Sequence, residues 1–97
     1  MKDEVYKYLK TIPKGKVATY GTIAEYLGNK KLSRVVGNIL HKNPDGDEYP
    51  CYKVVNSKGE LSEHYAFGGL EEQRKRLEKD GIKVVNHKVD IKEYLFR

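Results

Sequence analysis

The pattern of hydrophobic and polar residues predicts three short helices in the first half of the chain. The first helix is amphipathic and ends before Pro13, which cannot continue a helix. The second follows Thr19, a good N-cap residue, and stops at Gly28, which suits a left-handed C-terminal position. The third is closed by Asn43-Pro44. The predicted inward-facing residues are Val5, Leu9 and Ile12, then Ile23, Ala24 and Leu27, then Leu32, Val35, Val36, Ile39 and Leu40.

The second half of the chain predicts less regular structure. Residues 49–55 form a strand-like segment interrupted by a proline, and residues 61–67 are irregular. A charged helix is expected from Leu70 to Lys79, with Gly81 as its stop, and a short hairpin from Ile82 onward. The chain therefore predicts an α+β fold that is mainly helical, with short β segments.

The second and third predicted helices have the outline of a helix-turn-helix, because a turn containing Gly28 joins them. Arg34 and Asn38 share the polar side of the third helix, with Gly37 and Lys42 nearby. A helix that enters a DNA groove needs this arrangement. Two ordinary core helices with a solvated face would give the same pattern, and the pattern alone leaves both interpretations open.

Positive charge is concentrated on this stretch. The chain carries a net charge of +5, and no acidic residue occurs between Glu25 and Asp45. The basic residues in that interval are Lys30, Lys31, Arg34 and Lys42, with His41 beside them. The local excess predicts a phosphate-facing surface and a nucleic-acid partner.

Length and composition exclude several classes of protein. A chain of 97 residues fits one domain, and it lacks an apolar run of the roughly 20 residues that span a membrane. A single cysteine, Cys51, cannot form an intramolecular disulfide, and the three histidines lack metal-ligand spacing. We expect a cytoplasmic monomer with no membrane partner and no bound metal. A lone cysteine such as Cys51 is usually structural.

Several short motifs change that expectation for Cys51. They are Ile12-Pro13-Lys14-Gly15-Lys16-Val17 followed by Tyr20, Ile23-Ala24, Gly28-Asn29, Arg34-Val35-Val36-Gly37, Asn43-Pro44, Pro50-Cys51-Tyr52-Lys53-Val54-Val55 and Gly68-Gly69-Leu70. In this order the chain resembles the active-site domain of the O6-alkylguanine-DNA alkyltransferases, which are methylated-DNA–protein-cysteine methyltransferases, and their non-catalytic relatives, the alkyltransferase-like proteins. The resemblance implies one winged-helix-like domain over residues 1–97, without the family's usual N-terminal domain.

The resemblance also implies an activity and residues to perform it. The domain would enter the minor groove of double-stranded DNA, flip O6-alkylguanine and transfer the alkyl group to Cys51 without a cofactor. Tyr20 corresponds to the tyrosine that crowds the phosphate and donates a proton to the leaving guanine. Arg34 corresponds to the arginine that fills the vacated space in the base stack. Asn43 corresponds to the asparagine that braces the active-site turn, and Asp80 to the acidic residue that orients the catalytic relay.

Further residues complete the predicted interface. Gly37 would let the helix backbone approach DNA, and Asn38 would bond to phosphate or sugar. The remaining predicted DNA contacts are Lys30, Lys31 and Lys42, and the predicted lesion pocket comprises Pro50, Tyr65 and Phe67.

Three departures from the family pattern keep two functions open. Tyr52 replaces the histidine that helps the thiol lose its proton, and a phenol is a poor base because its pKa is near 10. Lys53 could compensate by lowering the thiol pKa, or His64 could serve as the base. The loop between Gly59 and Gly68 is longer than is typical of the family, and Tyr65-Ala66-Phe67 stands where the family has a tyrosine and a serine.

The third departure is the C-terminal tail, which is more like that of the alkyltransferase-like branch, whose members mark lesions for other repair machinery. Alkyl transfer to Cys51 is the favoured hypothesis, and lesion binding without transfer is the alternative. A DNA-binding helix-turn-helix regulator comes third.

Overall fold

Helices and short strands alternate along the chain in the computed structural model, which describes residues 1–96. The helices are α1 (Lys2–Thr11), α2 (Tyr20–Tyr26), α3 (Ser33–His41), α4 (Gly69–Lys79) and α5 (Ile91–Tyr94). The strands are β1 (Ala18–Thr19) and β2 (Val54–Val55), and two 3₁₀ turns cover Lys30–Leu32 and Cys51–Lys53. The expected α+β, mainly helical architecture is confirmed.

The caps that were predicted for the first helices are present. Thr19 Oγ1 accepts a hydrogen bond from the Thr22 amide at 3.0 Å, and the Thr22 hydroxyl accepts one from the Thr19 amide at 3.0 Å. Gly28 has a φ of +100°, in the left-handed region that favours glycine, where the chain leaves α2. Helix α1 ends two residues before Pro13. These local signals fix α2 at the start of the helix-turn-helix.

The strand predicted over residues 49–55 is mostly wrong. Only Val54 and Val55 are extended, and they pair in parallel with Ala18 and Thr19. The amide of Cys51 donates instead to the Tyr49 carbonyl at 2.7 Å, which folds the chain into a tight turn. Pro50 has no N–H to give to a ladder, so the segment around it cannot continue as a paired strand. Cys51 therefore lies in a turn that ends at β2.

The predicted C-terminal hairpin is reduced to a single tight turn. Val85 and Lys88 exchange backbone hydrogen bonds at 2.9 and 3.1 Å. Asn86 and His87 between them have φ values of 53° and 59°, as a two-residue turn of this kind requires. The chain then forms α5, because the Asp90 side chain caps it by accepting from the Lys92 amide at 3.0 Å. This helix was not predicted from the sequence.

Two hydrophobic clusters support the fold. The first joins α1, α2 and α3 and includes Cys51 and Tyr65, whereas the second lies under α4 and the C-terminal segment. Tyr52 packs against both clusters, so it lies at their junction. Val35, which was predicted to face inward, is 38% exposed, so that assignment was wrong.

No helix within residues 1–96 is long and apolar enough to span a bilayer. Within the same residues, histidine, cysteine and acidic side chains form no group of three or more that could hold a metal ion.

Candidate functional site

A groove of about 560 Å³ lies between the α2–α3 pair and the irregular loop 62–66. It brings together six of the residues that were singled out from the sequence. Those residues are Tyr20, Arg34, Gly37, Asn38, Cys51 and Tyr65. The rest of the lining is Ser33, Leu40, His41, Val54, Ser62, His64, Ala66 and Gln73. Ligand-binding clefts in proteins commonly have volumes of roughly this size.

Tyr20 is the first residue of α2 and stands on the helical side of the groove. Burial raises the pKa of its hydroxyl above the usual value, so the group keeps its proton at neutral pH and can donate it. A Cβ atom added at Gly37 would lie 4.0 Å from Cε1 of Tyr20, which is ordinary van der Waals contact. The glycine is therefore not required for the packing of α2 against α3.

The polar face of α3 is open to solvent. Arg34 and Asn38 are exposed and line the groove. Lys31 and Lys42 are exposed at the two ends of this region but do not line the groove. Lys30 lies outside it as well, and its ammonium is 3.5 Å from a Glu25 carboxylate oxygen. The acidic residue at the edge of the basic stretch thus partly neutralises its first lysine.

A buried asparagine supports the turn before Cys51. The Asn43 side chain donates to the Tyr49 carbonyl at 2.7 Å, and its own carbonyl accepts from the Asp45 amide at 3.0 Å. The Tyr49 carbonyl also accepts from the Cys51 amide. Asn43 therefore holds the backbone turn from which Cys51 reaches the groove.

The Cys51 thiol is 6% exposed. Burial raises its pKa above the usual value, and contact with the Asn43 side chain opposes this more weakly. Lys53 gives the thiol no visible help, because its ammonium is buried and donates to the Ile12 carbonyl at 2.8 Å. The thiol therefore carries its proton at neutral pH. His64 lines the same groove, so an imidazole is available on that wall.

Tyr52 and Asp80 form a hydrogen bond outside the groove. The Tyr52 hydroxyl donates to a carboxylate oxygen of Asp80 at 2.5 Å. Burial, together with this bond and the negative charge of Asp80, raises the pKa of Tyr52 far above its usual value. The two residues predicted to act in the relay are thus adjacent, but Tyr52 holds its proton and cannot accept one from the thiol. Both line a separate depression together with Pro50.

The three residues predicted for the lesion pocket are divided. Tyr65 lines the groove and is 8% exposed, and burial raises its pKa to about 12. Phe67 does not line the groove but packs edge-on against Tyr65, with ring centroids 5.8 Å apart. Pro50 borders the separate depression. Of the three, only Tyr65 is placed to touch a groove ligand.

Known proteins of similar sequence identify the family. Residues 1–82 match the family model described as the DNA-binding domain of 6-O-methylguanine DNA methyltransferase. The chain belongs to this alkyltransferase family. The resemblance found in the sequence is confirmed.

Relatives within the alkyltransferase family differ in size and in name. A bifunctional methyltransferase/endonuclease of Picrophilus torridus is 41% identical over 95% of this chain, which spans only 30% of that relative. Alkyltransferase-like protein 1 of Schizosaccharomyces pombe is 34% identical over 97% of this chain and 92% of its own length. The relatives of this chain therefore include proteins named as enzymes and proteins named as alkyltransferase-like.

Solved structures of alkyltransferases match the fold. S. pombe Atl1, crystallised with damaged DNA containing O6-carboxymethylguanine, superposes with a TM-score of 0.89 at 32% identity, over 99% of this chain and 94% of that one. O6-methylguanine methyltransferase of Mycobacterium tuberculosis gives 0.72 at 34% identity, over 81% and 47%. The winged-helix-like fold expected for the family is confirmed.

Two residues of α4 that lie in or beside the groove were not predicted from the sequence. Gln73 lines the groove and is 1% exposed, and Arg76 places its guanidinium 5.9 Å from the centroid of the Tyr65 ring. A signal for Gln73 was present, because it lies three residues after Leu70 and four before Leu77, on the face predicted to point inward. A polar residue on a buried helix face needs partners, and that need marks a candidate site.

Proposed function

We propose that this chain flips O6-alkylguanine out of double-stranded DNA into the groove, where Cys51 accepts the alkyl group slowly and once. The observation that carries the proposal is the convergence of Tyr20, Arg34 and Cys51 on one groove. These three residues come from α2, α3 and the turn before β2, so the fold collects them from distant parts of the chain. A donor, a cation and a soft nucleophile are the groups that this chemistry needs.

The binding step belongs to α3. Its exposed polar face carries Arg34 at the groove and leaves Asn38 free to contact the DNA backbone. Lys31 and Lys42, exposed beyond the groove, supply attraction to phosphates. Arg34 takes the space of the flipped nucleotide, because its side chain is long, charged and unburied. Flipping costs a few kcal/mol of unstacking, and such contacts repay it.

The transfer step uses three proton movements. The thiol of Cys51 loses its proton to solvent or to His64, and the sulfur attacks the alkyl carbon. A sulfur–carbon bond forms as the bond from that carbon to O6 breaks, and guanine keeps the electron pair. The hydroxyl of Tyr20, which is protonated at neutral pH, supplies the proton that guanine takes up, and solvent reprotonates Tyr20. The thioether is stable, so each molecule acts once.

The slow rate follows from the state of the thiol. Its pKa is raised by burial, and the residue at position 52 is a hydrogen-bond donor to Asp80 rather than a base. Only the thiolate is an effective nucleophile, so a small thiolate fraction limits the rate.

Lesion binding without transfer is a second candidate function. The hydrogen bond from Tyr52 to Asp80 favours it, because it removes the proton acceptor that the family's histidine would provide. This chain also matches S. pombe alkyltransferase-like protein 1 over nearly the whole length of both proteins, which agrees with this function. In that case the bound lesion would be handed to other repair machinery.

One experiment separates the two functions. The intact mass of the protein is measured over hours with a duplex containing O6-methylguanine, and affinity is measured on the same duplex. Gain of one methyl group on the peptide that contains Cys51 supports transfer. Tight, lesion-selective binding with no gain of mass would establish the marking function instead. Equal affinity for damaged and undamaged duplexes would contradict both.

A further inference from the structure

We propose that Gln73 is a positioning residue that sets the width of the groove and thereby the size of O6 substituent that the groove accepts. This inference rests on the proposed binding of O6-alkylguanine. Gln73 lies on α4 and is 1% exposed, and it belongs to the groove lining beside Cys51.

The carboxamide of Gln73 holds three segments together. Its NH₂ group donates to the carbonyls of Tyr52 and Val54, each at 3.0 Å. Its oxygen accepts from the Ser62 amide at 2.8 Å. The donor half therefore holds the segment that follows Cys51, and the acceptor half holds the start of the opposite wall. A primary amide supplies two N–H donors and an acceptor oxygen from one side chain, as these three hydrogen bonds require.

The wall that Gln73 holds is anchored at its middle by Tyr65, which lies in the first hydrophobic cluster, whereas its start is held by hydrogen bonds. Residues 62–66 contain no helix or strand. The His64 carbonyl lies 3.3 Å from Nδ1 of the exposed His41 ring on α3. Among the hydrogen bonds described for residues 1–96, the bond from Ser62 to Gln73 ties this wall to the buried side of the groove. The Gln73 oxygen is thus a buried acceptor that holds the backbone amide of Ser62 at the start of the wall.

A fixed wall gives the groove a fixed width. A larger O6 substituent must displace the loop, and displacement must break the bond between the Ser62 amide and the Gln73 oxygen. Breaking a buried hydrogen bond leaves a polar group unsatisfied, so the bond opposes bulky substituents more than small ones. Gln73 should therefore favour small adducts over large ones without affecting contacts to undamaged DNA.

Three variants separate the two halves of the carboxamide. Gln73→Lys keeps donors for the Tyr52 and Val54 carbonyls but offers no acceptor to Ser62. Gln73→Glu keeps an acceptor for Ser62, and if burial protonates it, it keeps a donor as well. Gln73→Met removes both the donor and the acceptor without adding charge. It replaces Gln73→Lys in the test if the buried lysine prevents folding. Arg74→Gln, which loses only exposed ion pairs on the same helix, is the matched control.

Two measurements are made on each protein. Dissociation constants are determined for duplexes that are undamaged, contain O6-methylguanine or contain O6-benzylguanine, and hydrogen exchange is followed at the Ser62 amide. In Gln73→Lys and Gln73→Met, the ratio of affinities for the O6-methylguanine and O6-benzylguanine duplexes should fall roughly two- to tenfold, because one hydrogen bond is lost. Exchange at Ser62 should accelerate in the same two variants. Gln73→Glu and Arg74→Gln should resemble the parent in both respects.

The outcomes distinguish this inference from the proposed function. A parent that prefers lesions, with a size preference unchanged in Gln73→Lys and Gln73→Met, would overturn the role of Gln73 alone. A parent protein that binds neither lesion duplex more tightly than undamaged duplex would overturn the proposed function, and with it the inference about adduct size. Unchanged exchange at Ser62 would show that Gln73 does not hold the wall.

Discussion

The α3 side of the groove leaves its polar groups free, whereas the segment around Cys51 has its polar groups engaged inside the protein. Arg34 and Asn38 are exposed and can meet a ligand without breaking internal bonds. Asn43 and Lys53 are buried and bonded to backbone carbonyls, and Tyr52 is bonded to Asp80. In the proposed function, recognition therefore uses side chains that are already exposed, whereas transfer must start from a protonated thiol.

In the proposed function, DNA recognition and alkyl transfer rest mainly on different parts of the fold. The recognition residues lie on α2 and α3, whose caps and spacing are local properties of the sequence. The state of the thiol depends on the turn after Asn43 and on its burial in the first hydrophobic cluster. Tyr20 serves both steps of the proposed function, but a substitution at Arg34 should leave the thiol unchanged, and a substitution at Cys51 should leave the contacts to DNA unchanged.

The largest effect is expected for Cys51→Ser. The gain of one methyl group, measured by mass spectrometry after incubation with O6-methylguanine duplex, should disappear, because a hydroxyl lacks the acidity and softness of a thiol. Affinity for the same duplex should stay within about twofold, since Tyr20 and Arg34 remain. A methyl group found on another residue would show that Cys51 is not the acceptor. A large loss of affinity would show that the two sides are not separable.

The next effect is a pH dependence of transfer by the parent protein. Burial raises the thiol pKa above its usual value of about 8.5. Below that pKa the thiolate fraction rises about tenfold per pH unit, so the single-turnover rate should rise roughly a hundredfold between about pH 6 and pH 8. Rates are measured by quenching at intervals and counting methylated protein. A flat profile would mean that the thiol is already ionised in the DNA complex.

A smaller effect is expected for Tyr52→His, which restores the residue type found in the family. The imidazole can accept the thiol proton, whereas the Tyr52 hydroxyl donates to Asp80. The transfer rate at neutral pH should rise at least about tenfold, a modest share of what a general base can contribute. Tyr52→Phe is the control, since it loses the hydroxyl but gains no base. A Tyr52→His protein that is no faster than the parent would show that His64 or another group already activates the thiol.

Features that depend on neighbouring residues could be predicted from the sequence, whereas contacts between distant residues could not. Helical periodicity, the cap at Thr19 and the stop at Gly28 predicted α1 to α3, because each depends on neighbouring residues. The motif order located the groove residues. The bond between Tyr52 and Asp80 and the contacts of Gln73 join residues far apart in the chain, and only the folded arrangement reveals them.

The same limit explains the wrong predictions. A strand-like segment was predicted around Pro50, but the turn at Cys51 depends on Asn43, eight residues earlier in the chain, which bonds to the Tyr49 carbonyl. The predicted hairpin failed because the Asp90 cap starts a helix where a second strand was expected. Phe67 was placed in the lesion pocket by its position in the chain, yet its ring packs against Tyr65 outside the groove.

The smallest effect tests the recognition side alone, through Arg34→Ala and Lys30→Ala. Arg34 is exposed at the groove, whereas Lys30 lies outside it with its ammonium 3.5 Å from a Glu25 oxygen. Arg34→Ala should lower the preference for O6-methylguanine over undamaged duplex about tenfold, because the gap left by the flipped base is no longer filled. Lys30→Ala should weaken binding to both duplexes equally, by less than about threefold. The variant loses one contact to a phosphate, which is weak because salt screens it and because the lysine is already paired with a carboxylate. Both preferences come from paired titrations at fixed salt. If the two variants lose preference to the same extent, the arginine acts only as a positive charge, and the flipped-base role assigned to α3 is wrong.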